Sequence, residues 1–319
     1  MSDWKPSADL QTLRARAALL AALRRFFGEH DVLEVDTPML SAHATVDRHI
    51  ESFRTVDGRW LHTSPEFAMK RLLCAGSGPI WQVCHVFRLE ESGRWHNPEF
   101  SMLEWYRPGC DHHALMGEVE ALVRALAESL GCLPMGVMER LSYREAFQRH
   151  LQLDPFAADA AMLAQALRQR GQLCEGMDPQ DRDLWLDLAM SLVVGPQLGR
   201  DAPCFLYDFP ASQAALSRIR RDDPPVAERF ELFWRGTELA NGFHELGDAD
   251  EQRARFEADQ HWRGQQGRVV PPHDRHLIEA LGQGLPDCAG VAIGLDRLLM
   301  LLLEKPVLAE VLAFADSRA

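Results

Sequence analysis

Charged and aromatic side chains cluster in FRLEESGRWHNPEF, residues 87–100. Arg88 and Glu90 stand two positions apart, and because side chains alternate between the faces of a strand, they share one face. After a polar loop, Phe100 and Glu104 share one face of the next alternating run. A guanidinium can hold a phosphate with two hydrogen bonds, a ring can stack on a nucleobase, and carboxylates can accept hydrogen bonds from an amine. The pattern predicts a nucleotide site beside an amine site.

The same stretch also fits a solvated sheet face, on which cross-strand ion pairs each contribute under about 1 kcal/mol. Two further features favour the nucleotide site. Tyr106 lies on the same predicted face as Glu104, and the loop adds His96 and Asn97 as donors for a phosphate or a base edge.

A second predicted hairpin, FELFWRGTELANGFHEL, turns at Arg235-Gly236. The pairing that we expect places Glu231 directly opposite Glu238, about 5 Å away on one face. Like charges at that distance destabilise a sheet unless something neutralises them, and Mg²⁺ takes carboxylate and phosphate oxygens as ligands. The alternatives are a different register or a basic side chain between the two acids.

The end of this hairpin is harder to interpret. Glu245 has the wrong parity for the face of Glu238, and Gly242 permits a bulge that would correct it. Asn241 and His244 are ambiguous, since a lone histidine in such a position is more often a structural residue than a ligand.

A third segment, GVAIGLDRLLM, joins an apolar strand to a helix at Gly294. A glycine lets a ligand approach the backbone, and an arginine in the first helical turn opposes the helix dipole. Arg297 is therefore a candidate for binding an anion such as a phosphate group.

The elements that position these residues follow from periodicity. An amphipathic helix is predicted from the spacing of Leu10, Leu13, Ala17, Leu20, Leu23 and Phe27. Strands are predicted at 32–38, 60–63, 81–90, 100–107, 204–210, in the second hairpin and at the start of the third segment. Further helices are predicted from Ser64-Pro65 to Gly76, through most of 112–195, over 250–266 and after Gly294. This order indicates an α+β fold, an antiparallel β-sheet flanked by helices with a helical insertion.

Composition limits the function classes. The chain has 319 residues and a formal charge of −13, which disfavours binding to nucleic acid. No stretch reaches the roughly 18 uncharged apolar residues of a membrane span, and the first residues lack the order of a signal peptide, so a cytoplasmic protein is expected. The seven cysteines include no CxxC pair, so neither a disulfide framework nor a zinc site built on cysteine pairs is indicated.

Three parts of the chain resemble the signature motifs of class II aminoacyl-tRNA synthetases. VLEVDTP, the predicted strand at 32–38, is similar to motif 1, FRLEESGRWHNPEFSMLEWY to motif 2 and GVAIGLDRLL to motif 3. SPEFAMKRLL, HNPEF and ELANGFHEL closely resemble the lysyl enzymes. Motif 1 begins almost at once, so no anticodon-binding barrel is expected. TSPEF, YDFPASQAALS and an alanine at 292, where lysyl enzymes have glycine, resemble the elongation factor P lysine ligase family over essentially the whole chain.

This resemblance implies one class II synthetase catalytic core over residues 1–319, with a helical insertion at roughly 112–195. It implies ATP and Mg²⁺ as cofactors, (R)-β-lysine or lysine as the amino acid, a lysine of elongation factor P as the acceptor, and a homodimer, without tRNA or a membrane as a partner. The rivals are a truncated lysyl-tRNA synthetase acting on tRNA and a catalytically inactive paralogue with a regulatory binding role.

The resemblance also implies residue roles. Arg88 and Arg297 are the expected catalytic residues, and Glu231 and Glu238 the expected metal ligands. The expected ATP-binding residues are Arg88, Glu90, His96, Asn97, Phe100, Glu238, Leu239, Gly294 and Arg297. The expected substrate-binding residues are Ser64, Pro65, Glu66, Glu104, Tyr106, Asn241, Glu245 and Ala292.

Overall fold

A computed structural model describes residues 4–89, 91–132, 135–172 and 176–319. The chain divides into two compact units. Unit 1 comprises Met1–Asp111, Ala121–Pro134 and Leu246–Ala319, and unit 2 comprises His112–Glu120 and Met135–Glu245. The interpretation as one catalytic domain stays a prediction. Within the described residues, no helix combines the length and apolarity needed to cross a bilayer.

The α-helices are α1 (Leu10–Glu29), α2 (Glu66–Cys74), α3 (His112–Ser129), α4 (Tyr143–Leu151), α5 (Ala160–Gln169), α6 (Arg182–Ala189), α7 (Ala249–Gln265), α8 (Arg275–Leu281) and α9 (Leu295–Leu302). The strands are β1 (Leu33–Glu34), β2 (Leu40–Ser41), β3 (Trp60–Leu61), β4 (Ile80–Phe87), β5 (Glu99–Pro108), β6 (Glu139–Ser142), β7 (Cys204–Pro210), β8 (Ile219–Arg220), β9 (Val226–Trp234), β10 (Thr237–His244) and β11 (Cys288–Gly294). The mixed α+β composition agrees with the predicted class.

The strands of unit 1 follow the order β1, β4, β5, β11. β1 runs parallel to β4, whereas β4 and β5, and β5 and β11, are antiparallel. The predicted strand at 32–38 is reduced to the two residues of β1, in keeping with the proline at 38, which cannot donate to a sheet ladder. β2 and β3 form a separate antiparallel pair.

Helix α1 is present, but its predicted apolar face is wrong in part. Leu10 is 70% exposed, whereas Leu19, Leu23 and Phe27 are fully buried. Phe27 stacks on Trp81 of β4 with ring centroids 4.6 Å apart. Aromatic packing against the sheet, rather than the leucine spacing at the start of the helix, fixes which face turns inward.

Unit 2 contains the strand order β10, β9, β7, β6, with β8 pairing with β9. Helices α4, α5 and α6 pack with these strands around buried apolar side chains, among them Phe147, Leu163, Trp185 and Leu206. Helix α4 begins at a capping box, in which Ser142 and Glu145 satisfy each other's backbone N–H groups. The predicted helical stretch at 112–195 contains α3 to α6, but also strand β6, which periodicity did not indicate.

Candidate active site

The hairpin of β4 and β5 forms as predicted and fixes which side chains share a face. Its register pairs Val86 with Phe100 and Gln82 with Glu104. The pairing continues beyond β4, because the N–H of Arg88 donates to the carbonyl of Pro98 at 2.9 Å. Glu90 lies outside the described residues.

Arg88 is held at the open end of this hairpin by two neighbours. Its Nη1 donates to Glu91 Oε1 at 3.0 Å, and its guanidinium carbon lies 5.2 Å from the ring centroid of Phe100. Its Nε is buried and has no hydrogen-bond partner among the described residues. A buried charged donor without a partner costs free energy, so this geometry favours an anionic ligand at the guanidinium.

The loop between the two strands is fastened through its polar side chains. Asn97 donates from Nδ2 to the carbonyl of Glu99 at 2.6 Å and accepts from the N–H of Asp316 at 3.0 Å. The backbone of His96 exchanges hydrogen bonds with that of Gly93. The loop therefore has a defined shape before any ligand binds.

A buried carboxylate lies at the centre of the second predicted subsite. Glu104 is 2% exposed, and its two oxygens accept hydrogen bonds from the hydroxyls of Tyr106 at 2.6 Å and Ser64 at 2.7 Å. Ala292 of β11 pairs directly with Glu104 and so shares its face. Sequence analysis predicted all four residues at one subsite, and the structure brings them together. Their role in binding a substrate stays a prediction.

Glu66, another predicted substrate residue, has a partner that sequence analysis missed. Lys70, only 1% exposed, donates from Nζ to Glu66 Oε1 at 2.6 Å. Pro65 is the N-cap residue of α2. The backbone N–H at this position takes no part in the helical hydrogen bonds, so a proline costs the helix nothing there. The spacing of four residues along a helix could have revealed the ion pair.

The third segment forms the strand-to-helix junction that the sequence predicted. β11 ends at Gly294, and Arg297 in the first turn of α9 donates from Nε to the carbonyl of Trp95 at 3.1 Å. A β-carbon added at Gly294 would lie 3.8 Å from the Arg297 side chain. The hydrogen bond to Trp95 places the Arg297 guanidinium beside the backbone of the β4–β5 loop.

Asp296 anchors this junction, a role that sequence analysis missed. Its Oδ2 accepts from the N–H of Ser101 at 2.7 Å, and its Oδ1 pairs with Arg16 of α1. Asp296 is 1% exposed, and an acid in the first turn of a helix is favoured by the helix dipole. The contact with Arg16 spans almost the entire chain, so no local pattern could indicate it.

In unit 2, the predicted pairing of Glu231 with Glu238 is wrong. The hairpin turns at Arg235-Gly236, but Glu238 pairs with Phe233 and Asn241 pairs with Glu231. The register shifts between Glu238 and Ala240, so Leu239 is the extra residue of a bulge. The bulge is therefore at Leu239 rather than at Gly242. Because of it, Asn241 lies on the same face as Glu231, and so does every second residue of β10 after Asn241.

Glu231 and Glu238 nevertheless share a face and repel each other, because Glu231 lies two positions from Phe233, the partner of Glu238. Arg229 donates to Glu231, to the side-chain carbonyl of Asn241 at 3.2 Å and to the carbonyl of Gln213 at 3.0 Å. Burial and the negative charge of Glu238 still raise the pKa of Glu231 to about 8, against the opposing effect of Arg229.

The chemistry of this acid pair fits a divalent cation. The donors are carboxylate oxygens, which Mg²⁺ prefers, and the strong mutual repulsion is the effect that a bound cation relieves. Glu245, predicted for the amino-acid subsite, is 1% exposed, and its backbone carbonyl accepts from Arg218 Nε at 2.8 Å.

The raised pKa of Glu231 predicts how stability changes with pH. Folded protein retains the Glu231 proton up to about pH 8, whereas the unfolded carboxyl loses it near its ordinary value of 4.5. Stability should therefore fall as pH rises between these values, by at most about 1.4 kcal/mol per pH unit from this group. Denaturant unfolding without divalent cations should show that Glu231→Gln removes this decline.

The matched control for this measurement is Glu139→Gln, since Glu139 is a half-exposed acid of unit 2 paired with Arg149. It should leave the pH dependence as in the wild type. A free-energy difference between wild type and Glu231→Gln that stays constant from pH 5 to pH 8 would contradict the assignment of the raised pKa.

Comparison with known proteins identifies the family. The profile of the tRNA synthetases class II (D, K and N) matches residues 3–318. The chain belongs to this family. Curated members similar to it over the full length include the elongation factor P–(R)-β-lysine ligase of Edwardsiella ictaluri, 48% identical over 100% of this chain and 99% of the relative. The ligase of the same name from Salmonella paratyphi B is 49% identical with the same coverage.

The sequence motifs predicted a resemblance to the elongation factor P lysine ligases, and relatives of that name match the chain over its full length. Unit 1 offers an arginine whose buried Nε has no hydrogen-bond partner among the described residues, and a buried, hydrogen-bonded carboxylate. Unit 2 offers an acid pair suited to a cation.

Proposed function

We propose that this protein is an ATP-dependent ligase that activates (R)-β-lysine as an aminoacyl-adenylate and transfers it to a lysine side chain of elongation factor P. The observation that carries this proposal is the buried Glu104 carboxylate with Ser64 and Tyr106, in a chain whose full-length relatives are ligases of that name. Such a carboxylate suits a substrate that bears two ammonium groups.

The amino-acid subsite would act by charge and hydrogen bonding. The two hydroxyls hold the Glu104 carboxylate through one hydrogen bond to each oxygen. The negative charge of this carboxylate would attract a substrate ammonium. Ala292 on the paired strand fills space next to the Glu104 carboxylate. The ion pair with Lys70 partly neutralises the charge of Glu66, so Glu66 would attract the substrate less strongly.

The nucleotide subsite would act by positioning. Arg88 would contact the α-phosphate and neutralise charge that builds on its oxygens as the substrate carboxylate attacks phosphorus and pyrophosphate leaves. Phe100 would stack on the adenine, and Asn97 retains one N–H for the adenine edge. His96 and Arg297 would bind the outer phosphates, next to Gly294.

The acid pair Glu231 and Glu238 would hold Mg²⁺, which neutralises phosphate charge when it is bound. Asn241 of β10 and Glu245, which follows that strand, would contribute polar groups that bind the amino acid, and Leu239 of β10 would contact ATP. The acceptor amine then attacks the carbonyl of the mixed anhydride, forming an amide and releasing AMP. No covalent enzyme intermediate is required.

The methyl group of Ala292 provides a prediction on specificity. Because Ala292 pairs with Glu104, removal of the Ala292 methyl group should enlarge the space beside the Glu104 carboxylate. Ala292→Gly should shift the ratio of kcat/KM for (R)-β-lysine over α-lysine toward α-lysine by roughly tenfold, the scale of one methyl in a pocket. Pyrophosphate exchange with each amino acid measures the ratio, and an unchanged ratio would refute this role.

The acceptor distinguishes the proposed function from its rivals. Enzyme loaded with labelled β-lysyl-adenylate is mixed with elongation factor P, with elongation factor P whose acceptor lysine is changed to arginine, or with lysine tRNA. We expect label only on the elongation factor P that retains its acceptor lysine. Label on tRNA would favour a tRNA synthetase, and no adenylate at all would favour an inactive paralogue.

A further inference from the structure

A cluster of histidines and carboxylates in unit 2 lies apart from the acid pair. Glu228 precedes Arg229 on β9, and His244 ends β10, so both lie on the sheet face opposite to Glu231. Glu228 Oε2 and His244 Nδ1 are 2.7 Å apart. His112, at the start of α3, contributes a third side chain, and one possible ligand atom from each of the three lies within 4.8 Å of the others.

His112 is the unusual member of this cluster. It is 2% exposed, and neither ring nitrogen has a hydrogen-bond partner among the described residues. A buried polar group without a partner costs about 1–3 kcal/mol, so a structure rarely retains one without compensation. The His112 and His244 rings are nearly parallel, 23° apart, with centroids separated by 6.4 Å.

Two further charged residues, Asp208 and Arg220, lie next to this cluster. Asp208 Oδ1 lies 3.7 Å from His112 Nε2, a position from which a carboxylate can orient a ligating imidazole. Arg220 binds the outward oxygens, with Nη2 2.7 Å from Asp208 Oδ2 and Nη1 3.7 Å from Glu228 Oε1. The inward oxygens, Asp208 Oδ1 and Glu228 Oε2, therefore face the histidines.

The backbone supports this arrangement. Asp208 is the bulge residue of β7, where the register with β9 shifts, and it has a positive φ of 58°. A bulge redirects one side chain out of the regular alternation of a strand, and non-glycine residues in this conformation are strained. The strand thus turns this carboxylate toward His112 at a cost in backbone energy.

We propose that His112, Glu228 and His244 form a binding site for a divalent transition-metal ion, with Zn²⁺ the best match. Two imidazoles and one carboxylate are a typical zinc donor set, whereas Mg²⁺ prefers oxygen ligands alone. Asp208 is a positioning residue that orients His112. The ion would fasten the start of α3 to β9 and β10 within unit 2, a structural role independent of amino-acid activation.

Metal binding tests the proposal without any measurement of catalysis. Full-length protein freed of metal by a chelator is titrated with ZnSO₄, and in parallel with CoCl₂, whose visible absorption reports tetrahedral coordination. We expect one ion bound per chain and a higher thermal unfolding midpoint with Zn²⁺, because a ligand that binds only the folded state stabilises it.

Two variants and two controls locate the ion. His112→Ala and the nearly isosteric Glu228→Gln should each weaken Zn²⁺ binding by at least about tenfold. His85→Ala should not, although His85 pairs with Glu99 at the same 2.7 Å, because that pair is more than half exposed and belongs to no cluster of three possible ligands among the described residues. Glu231→Gln should also retain Zn²⁺ binding.

Three outcomes would overturn the site. One is the absence of Zn²⁺ and Co²⁺ binding by the wild-type protein. Another is binding that is unchanged in both His112→Ala and Glu228→Gln. The third is binding that persists in these variants and disappears in Glu231→Gln, which would assign the ion to the acid pair.

Discussion

Replacing Arg88 with alanine should lower the rate of adenylate formation by about 10²–10³-fold, with little change in stability. The guanidinium contacts Glu91 and Phe100 but retains a buried Nε without a protein acceptor among the described residues. A phosphate oxygen is the ligand that this geometry fits best. Single-turnover measurement of β-lysine-dependent pyrophosphate release from ATP gives this rate directly.

Two further variants show whether charge or shape is responsible. Arg88→Lys should recover only part of the activity, because an ammonium keeps the charge but loses the planar pair of donors. Arg54→Ala is the matched control, since the Arg54 guanidinium lies over the Trp60 ring at 5.4 Å, much as Arg88 lies over Phe100. Full adenylate formation by Arg88→Ala would remove this residue from the proposed chemistry.

Replacing Glu104 with glutamine should lower activity by a comparably large factor. Only the kinetic constants for the amino-acid substrate should change. Loss of one member of a buried, hydrogen-bonded charge pair costs about 2–5 kcal/mol, so kcat/KM for (R)-β-lysine should fall by a factor of about thirty or more. The KM for ATP should change little. Steady-state pyrophosphate exchange with each substrate varied in turn separates the two effects.

Controls for this prediction lie on the same strand. Glu99→Gln removes a half-exposed acid from β5 and should leave both KM values unchanged. Tyr106→Phe removes one hydroxyl donor to Glu104 but retains the carboxylate, so its effect should be smaller than that of Glu104→Gln. If Glu104→Gln instead raised the KM for ATP and left that for β-lysine unchanged, the subsite assignment would be wrong.

Alternation of side chains was sufficient to predict the main features of unit 1. It indicated the β4–β5 hairpin and the common face of Phe100, Glu104 and Tyr106, because parity along a strand is a local property. It did not indicate the partners of Asp296. Arg16 and Ser101 reach this aspartate through packing of α1 and β5 on α9, which depends on the whole fold.

The second hairpin shows why register is harder to predict than the existence of a strand. The Arg235-Gly236 turn was evident, but the extra residue is Leu239 rather than a glycine, and nothing in its side chain favours a bulge. Arg229 was detectable in principle, since it lies two positions before Glu231 and so on the same face. The histidine cluster combines a helix start with two strands, a meeting that only tertiary structure provides.

Pyrophosphate exchange with the wild-type protein tests the central claim, that the chain activates a small amino acid with two ammonium groups. ATP labelling from pyrophosphate is compared for (R)-β-lysine and for 3-aminohexanoate, which lacks the distal ammonium. We predict exchange with (R)-β-lysine and at least about tenfold less with the analogue, because the buried carboxylate loses a charged partner. Equal exchange with both compounds, or none with (R)-β-lysine, would contradict the account.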